Sequence, residues 1–548
     1  MRTALRWGSA LVGIGLACGG GRDDAESSAG ATSSGAIAES SSGNSGTSGV
    51  DGSTDAGPAS ASESGTTGAA EPYPPPDGWG PNHGPGGPAV PFDDADLFVN
   101  CAYLTGGRTD FDHHNLVVMF DGYLLLPWAP EFSLGGISMF DVSDPCAPQL
   151  VGAGTSDSMR ETHSLGFASH DDRWYAVVNQ KRPGLLQDEG GIQFWDLTDP
   201  TAPTQVADLE LPGFAYPDAY ARVTLSVFWQ VPWVYVAGAD NGVYIVDASD
   251  PTAPVLAAQH HFDPTLRAGQ LQVVGDWLFT TAAEGPRTVV LDVSVPDVPQ
   301  PIAGADIELV DGDGVTREAY FANIGAGLMY YAVKNGDGGL LVYDVHDPGA
   351  ASYAGHFDSG GNGGYVFVKG DLAFVGESDF ATMYDVADPS AITPLAQLDL
   401  EGDLDTITPI GNVAVLSVDE DAVADQASAI APYATAVDAV APRVVWSVPS
   451  DGANDLAPTS RIGVVLDEMI DVKSAWAGSV RVYLDGVDPA LGRVDGHVSA
   501  QENIVNFSPL APLEPGATYV LEIPAGGIVD YNGNAIEEAF SISFTIAG

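Results

Sequence analysis

The chain has 548 residues, 74 of them acidic and 19 basic, for a formal net charge of −55 at pH 7. A surface this acidic repels phosphate, which disfavours nucleic-acid binding and direct contact with an anionic membrane face. It suits solubility and divalent cations instead.

Arg2 and Arg6 give a positive start, followed by an apolar run at residues 10–17 that is too short to span a bilayer. The run ends at Cys18, followed by Gly19-Gly20-Gly21. This stretch resembles a bacterial lipoprotein signal and departs from it at Gly15, three positions before the cysteine. The resemblance implies export, a lipid on Cys18 and, with Gly19 rather than aspartate next, the outer membrane or cell surface. An ordinary signal peptide cut nearby is the alternative. Residues 19–92 then run through Ser, Gly, Ala, Thr and Asp into Pro and Gly, with almost nothing apolar to bury. They are predicted to be a disordered tether, with ~50 Gly/Ser-type residues reaching on the order of 40 Å.

A repeated phrase dominates residues 93–440. Gly-Val-Tyr-Ile-Val-Asp-Ala-Ser-Asp-Pro ends at Pro251, and variants end at Pro145, Pro200, Pro296, Pro348 and Pro389. The anchor aspartates are Asp141, Asp196, Asp247, Asp292, Asp344 and Asp385, spaced 41 to 55 residues apart. Each unit reads as an apolar strand, a turn, a second strand, a polar loop, the continuously apolar strand carrying the aspartate, and a fourth strand after the Asp-Pro turn. Such a period with four strands predicts a β-propeller. At the turn, Asp144, Asp199 and Asp250 can accept from backbone two residues on, while the proline presets φ. Residues 406–418 read as a degraded unit, which brings the expected count to seven blades. An open ring leaves bare strand edges, and residues 97–103 can supply the closing strand. The units resemble the LVIVD repeat family, Val243-Tyr244-Ile245-Val246-Asp247 being the nearest copy, with Val295 departing where the second aspartate should stand. The resemblance implies a propeller in a bacterial surface or secreted protein and implies no activity.

Beyond Cys18 only Cys101 and Cys146 remain, an even pair that suggests a disulfide in an exported protein, the alternative being two buried thiols. A bond would staple the closing strand to the first blade. Residues 441–548 hold short alternating strands with turn signals about every 8–12 residues, which predicts a β-sandwich. The order of phrases, from Ser447-Val448-Pro449 to Phe540-Ser541-Ile542, resembles the bacterial Ig-like domain, which implies a spacer or adhesive module without catalytic residues. The whole fold is thus expected to be all-β, a propeller followed by an Ig-like sandwich.

Candidate site residues fall into two groups. His114 and His163 stand at equivalent positions of neighbouring first strands, with Arg222, Gln270, Glu318 and Thr406 near the same register. In a propeller these strands line the central channel, so the group is a candidate polar pocket, and two histidines with a carboxylate suit a transition metal. A solvated channel without a role is the alternative. Asp311-Gly312-Asp313-Gly314 offers alternate carboxylates for a divalent cation such as calcium, against a plain polar loop. Asp530, Asn532 and Asn534 have similar spacing, with turn chemistry as the default. No nucleophile elbow, zinc-protease helix or phosphate loop is present. The chain is therefore read as a non-catalytic binding or adhesion protein for a surface protein or carbohydrate, attached to the membrane only through lipid. An extracytoplasmic metal-assisted hydrolase or oxidoreductase centred on His114 and His163, or an inert spacer, are the alternatives.

Overall fold

Seven four-stranded antiparallel sheets stand in a ring. The computed structural model describes residues 80–106, 116–129, 135–159, 162–181, 190–213, 224–334, 338–419 and 421–548. The third sheet shows the plan: Ser226–Gln230, Trp233–Ala237, Val243–Asp247 and Val255–His260, in that order from the axis outward. First strands are buried, whereas fourth strands such as Gln300–Glu308 alternate between exposed and buried residues. This is the pattern of inner strands packed on both faces and outer strands facing water on one. The first strand of the third blade packs against those of the second and fourth, and the seventh blade's packs against the first's. Phe120 and Phe167 stack at 5.0 Å between the first and second.

The repeated phrase explains each blade's outer corner. Asp247 accepts the Ser249 N–H at 2.9 Å, and three residues later Asp250 accepts the Thr252 N–H at 2.9 Å. The same pair of turns recurs at Asp196 and Asp199, and at Asp385 and Asp388. Each short acidic side chain satisfies a backbone donor that the chain reversal would orphan. In all six phrase-bearing blades the pairing of third and fourth strands slips at the same place, as between Ile245 and Val246. The bulge lets the fourth strand twist away at the rim.

The seventh blade lacks the phrase and is built differently. Its strands Thr406–Ile410, Val413–Ser417 and Ser428–Pro432 are completed by Ala102–Leu104, Tyr103 pairing with Ala429. The ring is closed by a strand from before the first blade. Next to that strand, Cys101 is bonded to Cys146, which follows the first Asp-Pro turn.

Composition predicts a disordered tether up to residue 92, yet from Gly80 the chain is an ordered strap. Gly84 N–H donates to the Asp121 carbonyl at 3.0 Å, Gly87 N–H to that of Tyr531 at 2.8 Å, and Phe92 N–H to that of Thr435 at 2.8 Å. Composition alone missed it because the strap is held by backbone hydrogen bonds rather than apolar burial. Its glycines permit the approach: a Cβ on Gly84 would lie 2.4 Å from the Gly122 oxygen. Cys18 and the rest of the expected tether lie outside the described residues.

The C-terminal region is a two-sheet sandwich. Val444–Val448, Ile462–Leu466, Ile504–Pro509 and Gly496–Gln501 form one sheet. Ala453–Leu456, Phe540–Ile546, Thr518–Ile523 and Arg481–Leu484 form the other. The sandwich packs on the propeller where first strands turn into second strands. Its hairpin between Gly496–Gln501 and Ile504–Pro509 points into the ring. Gln501 donates to the Val227 carbonyl at 2.9 Å and accepts the Trp229 N–H at 3.1 Å. Asn503 donates to the Ile324 carbonyl at 2.8 Å, and Asn506 accepts the Gly275 N–H at 2.8 Å. Three side-chain amides thus satisfy backbone groups at the inner ends of several blades. No candidate helix long and apolar enough to cross a membrane occurs among the described residues.

Candidate binding site

The channel group comes only partly into view. His114 and Arg222 lie outside the described residues. His163 precedes the first strand of the second blade and is buried, at 3% exposure. Its N–H donates to Asn179 Oδ1 at 2.7 Å, and its Nδ1 lies 2.7 Å from the Tyr365 hydroxyl. The imidazole also stacks on Phe321 at 5.7 Å, in a column where Phe321 and Tyr365 lie 4.0 Å apart. Gln270 is buried on the fourth blade's first strand, with its Oε1 unmatched among the described residues. Thr406 Oγ1 is likewise buried and unmatched. Buried polar atoms of this kind suit an internal water. Glu318 is half-buried just ahead of the fifth blade, and its carbonyl accepts the Lys334 N–H. The imidazole of His163 is thus engaged with an aromatic column, a contact that first-strand register alone does not reveal.

The acidic loop is organised around a guanidinium. Asp311 Oδ1 accepts the N–H groups of Asp313 and Val315, both at 2.9 Å, while Oδ2 meets Arg317 Nε at 2.6 Å. Burial would push the Asp311 carboxyl up, but these donors and the Arg317 charge outweigh it and hold the pKa below the ordinary value. Asp313 is exposed. Arg317 therefore stands where the sequence suggested a divalent cation, and the loop closes on protein donors. Asp530 behaves similarly, its Oδ1 accepting from the N–H groups of Asn532 and Asn534.

One acidic cluster was not legible as a unit. Asp438, Glu468 and Asp530 bring ligand atoms within 4.8 Å of one another, on the seam between the domains. Lys369, from the sixth blade, inserts its ammonium and bonds Asp438 Oδ2 at 2.6 Å and Glu468. Burial opposes the charge on Lys369, and the nearby acidic groups overcome it, so its pKa is raised. Burial likewise pushes Glu468 up to about 7. The three residues lie far apart in sequence from Lys369, so nothing local announces the group.

The same seam holds a groove of about 530 Å³. Trp277 opens the second strand of the fourth blade, and Trp446 sits on the first strand of the sandwich. Their rings lie 5.9 Å apart, tilted by 46°, and both are half-buried. His346, held by Asp344 at 2.9 Å, meets Trp446 edge-on at 6.0 Å. Pro449, Asp451 and Phe540 complete the walls. Asp276, also lining it, accepts the Arg461 N–H at 2.8 Å, and burial pushes its carboxyl up to about 6. A concave site of this size with aromatic walls and few polar groups is the ordinary build of a ligand site. The two tryptophans come from different domains, so no sequence spacing could have paired them.

Comparison with known proteins places both halves. Residues 438–546 match the bacterial Ig-like domain, and residues 232–260 match the LVIVD repeat. The chain thus carries an LVIVD repeat within its propeller and a bacterial Ig-like domain as its C-terminal sandwich. Among solved structures, a periplasmic gluconolactonase of Pseudomonas aeruginosa is 14% identical, with a TM-score of 0.43, over 56% of this chain and 90% of that one. A Lactobacillus plantarum protein is 14% identical at TM-score 0.40, over 52% and 84%. BamB from Moraxella catarrhalis is 11% identical at TM-score 0.38, over 60% and 96%. No curated protein matches the chain.

Proposed function

We propose that this is an exported, non-catalytic binding module, lipid-anchored through Cys18, whose ligand is a neutral carbohydrate taken in the Trp277–Trp446 groove. The observation that carries the reading is the half-buried tryptophan pair at the seam. Indole faces pack against the C–H faces of sugar rings, and the Asp451 carboxylate on the rim is an acceptor for hydroxyls. Net charge argues against anionic sugars. The disulfide between Cys101 and Cys146 supports an oxidising compartment. The His163 imidazole, engaged with Tyr365 and Phe321, favours a structural over a metal-binding role for that residue.

The test is a screen of purified protein against neutral polysaccharides, followed by titration of Trp446→Ala and, as a control outside the groove, Lys334→Ala. Binding by the parent that drops at least tenfold in Trp446→Ala and is unchanged in Lys334→Ala supports the site. Absence of any saccharide binding, or equal binding by Trp446→Ala, overturns it. For the anchor, Cys18→Ser is expected to move the protein from the membrane fraction to the soluble one.

A further inference from the structure

The sandwich places an ionisable side chain inside the ring. Glu502 occupies the tip of the docked hairpin, in left-handed backbone at φ 55°, and is 9% exposed. Its neighbours from the propeller are amides: Asn323 Nδ2 donates to Oε2 at 3.3 Å, and Gln272 lies beside the carboxyl. From the sandwich side the titratable group facing it is Tyr531, itself buried, with its pKa raised first by that burial. The seam's cations are engaged elsewhere. The Arg461 guanidinium donates to the Val293 and Ser294 carbonyls, Lys369 serves Asp438 and Glu468, and Lys473 serves Asp121. Among the described residues no cation pairs with Glu502. A carboxylate taken out of water without a countercharge is costly, and the neutral acid is the form such a site accepts.

The tip cannot simply swing this group into water. Gln501, Asn503 and Asn506 fix it on both sides, and close contacts add to them. A Cβ on Gly463 would stand 2.1 Å from the Gly275 nitrogen, and one on Gly166 would stand 2.9 Å from Gln501 Oε1.

We propose that Glu502 is a proton-operated latch between the domains: the hairpin seats in the ring with this carboxyl neutral, and loss of its proton loosens the seat. Burial pushes the Glu502 pKa up to about 7, with the hydrogen bond from Asn323 and the nearby Gln272 amide acting the other way. A raised acid stabilises the docked form fully below its ordinary value, near 4.3, and that contribution is lost as pH rises through about 7. Acidification therefore tightens the seat, by up to tenfold in the docking constant per pH unit across that window. Asp276, Glu468, Asp471 and Asp530 are also raised by burial at the seam. The informative quantity is thus the difference between the parent and Glu502→Gln, in which those groups are common.

Hydrogen exchange of residues 496–509 in the full chain, corrected for intrinsic rates, reads the seat. Parent protection is expected to fall more than tenfold from pH 5.5 to 8.5, and Glu502→Gln is expected to fall several-fold less and be the better protected at pH 8.5. Equal pH slopes in the two proteins, or a variant looser at every pH, overturns the latch. Infrared difference spectra supply an independent check. A protonated-carboxyl band present in the parent at pH 6, weaker at pH 8.5 and reduced in Glu502→Gln supports the proposal, and a band unchanged in Glu502→Gln overturns it.

Discussion

Asp250 and Lys369 show how unevenly single residues disclose their work. Asp250 follows a phrase that recurs along the chain, and its role is local: the Thr252 hydroxyl and N–H hold its carboxyl below the usual range. Both the turn and its acceptor were readable from four consecutive letters. Lys369 stands in an unremarkable strand end, Val366–Lys369, and acquires its role only when Asp438 and Glu468 fold around it. Removing one partner of such a group leaves buried charge uncompensated. Lys369→Met is expected to destabilise by about 3–5 kcal/mol, and adding Asp438→Asn and Glu468→Gln to recover much of that loss. Thermal melting of the three proteins checks this; an undiminished melting point in the single variant would contradict it. His163 is the converse case. Its place at the head of a first strand was legible, whereas Phe321 and Tyr365, which define its surroundings, come from other blades.

At the scale of elements, the repeated phrase marked six blades and the Asp-Pro turn in each, because strand pattern and turn chemistry lie within one short window. The seventh blade required a strand from elsewhere, and edge pairing was the physical reason to look for one. The strap at residues 80–92 was missed for the opposite reason: an extended segment held by backbone bonds leaves no pattern of side chains. The disulfide acts on the closing strand. It joins residues 45 apart, so in the chain-entropy view its loss costs about 4 kcal/mol. Reduction, or Cys101→Ser with Cys146→Ser, is expected to release Ala102–Leu104 first. Exchange protection at Ala429 and Ile430, its pairing partners, is the readout. Protection there that is unchanged on reduction would show the strand to be held without the bond.

For the whole molecule, two sets of carboxyls pull against each other. Asp199, Asp250, Asp388 and Asp451 are held low by hydrogen bonds, so their contribution is present above the ordinary carboxylate value and lost as pH falls below it. Asp276, Glu468 and Glu502 are held high by burial, so theirs is present in acid and lost as pH rises through about 6 to 7. Self-repulsion at a formal charge of −55 also grows with pH. The thermal midpoint is therefore expected to peak near about pH 5, and added salt to raise it most at about pH 8, where repulsion is greatest. A midpoint that rises steadily to pH 8 without salt would contradict this.

The strand that shuts the ring has a consequence in time. Ala102–Leu104 leaves the ribosome ahead of every blade, yet its partner Ser428–Pro432 emerges after all the others. The decisive pairing is thus postponed until synthesis of the propeller is complete, and the hairpin that seats in the ring arrives later still. Such long-range closure makes for slow folding. Until Ser428–Pro432 appears, no partner exists for Ala102–Leu104 and the ring stays open.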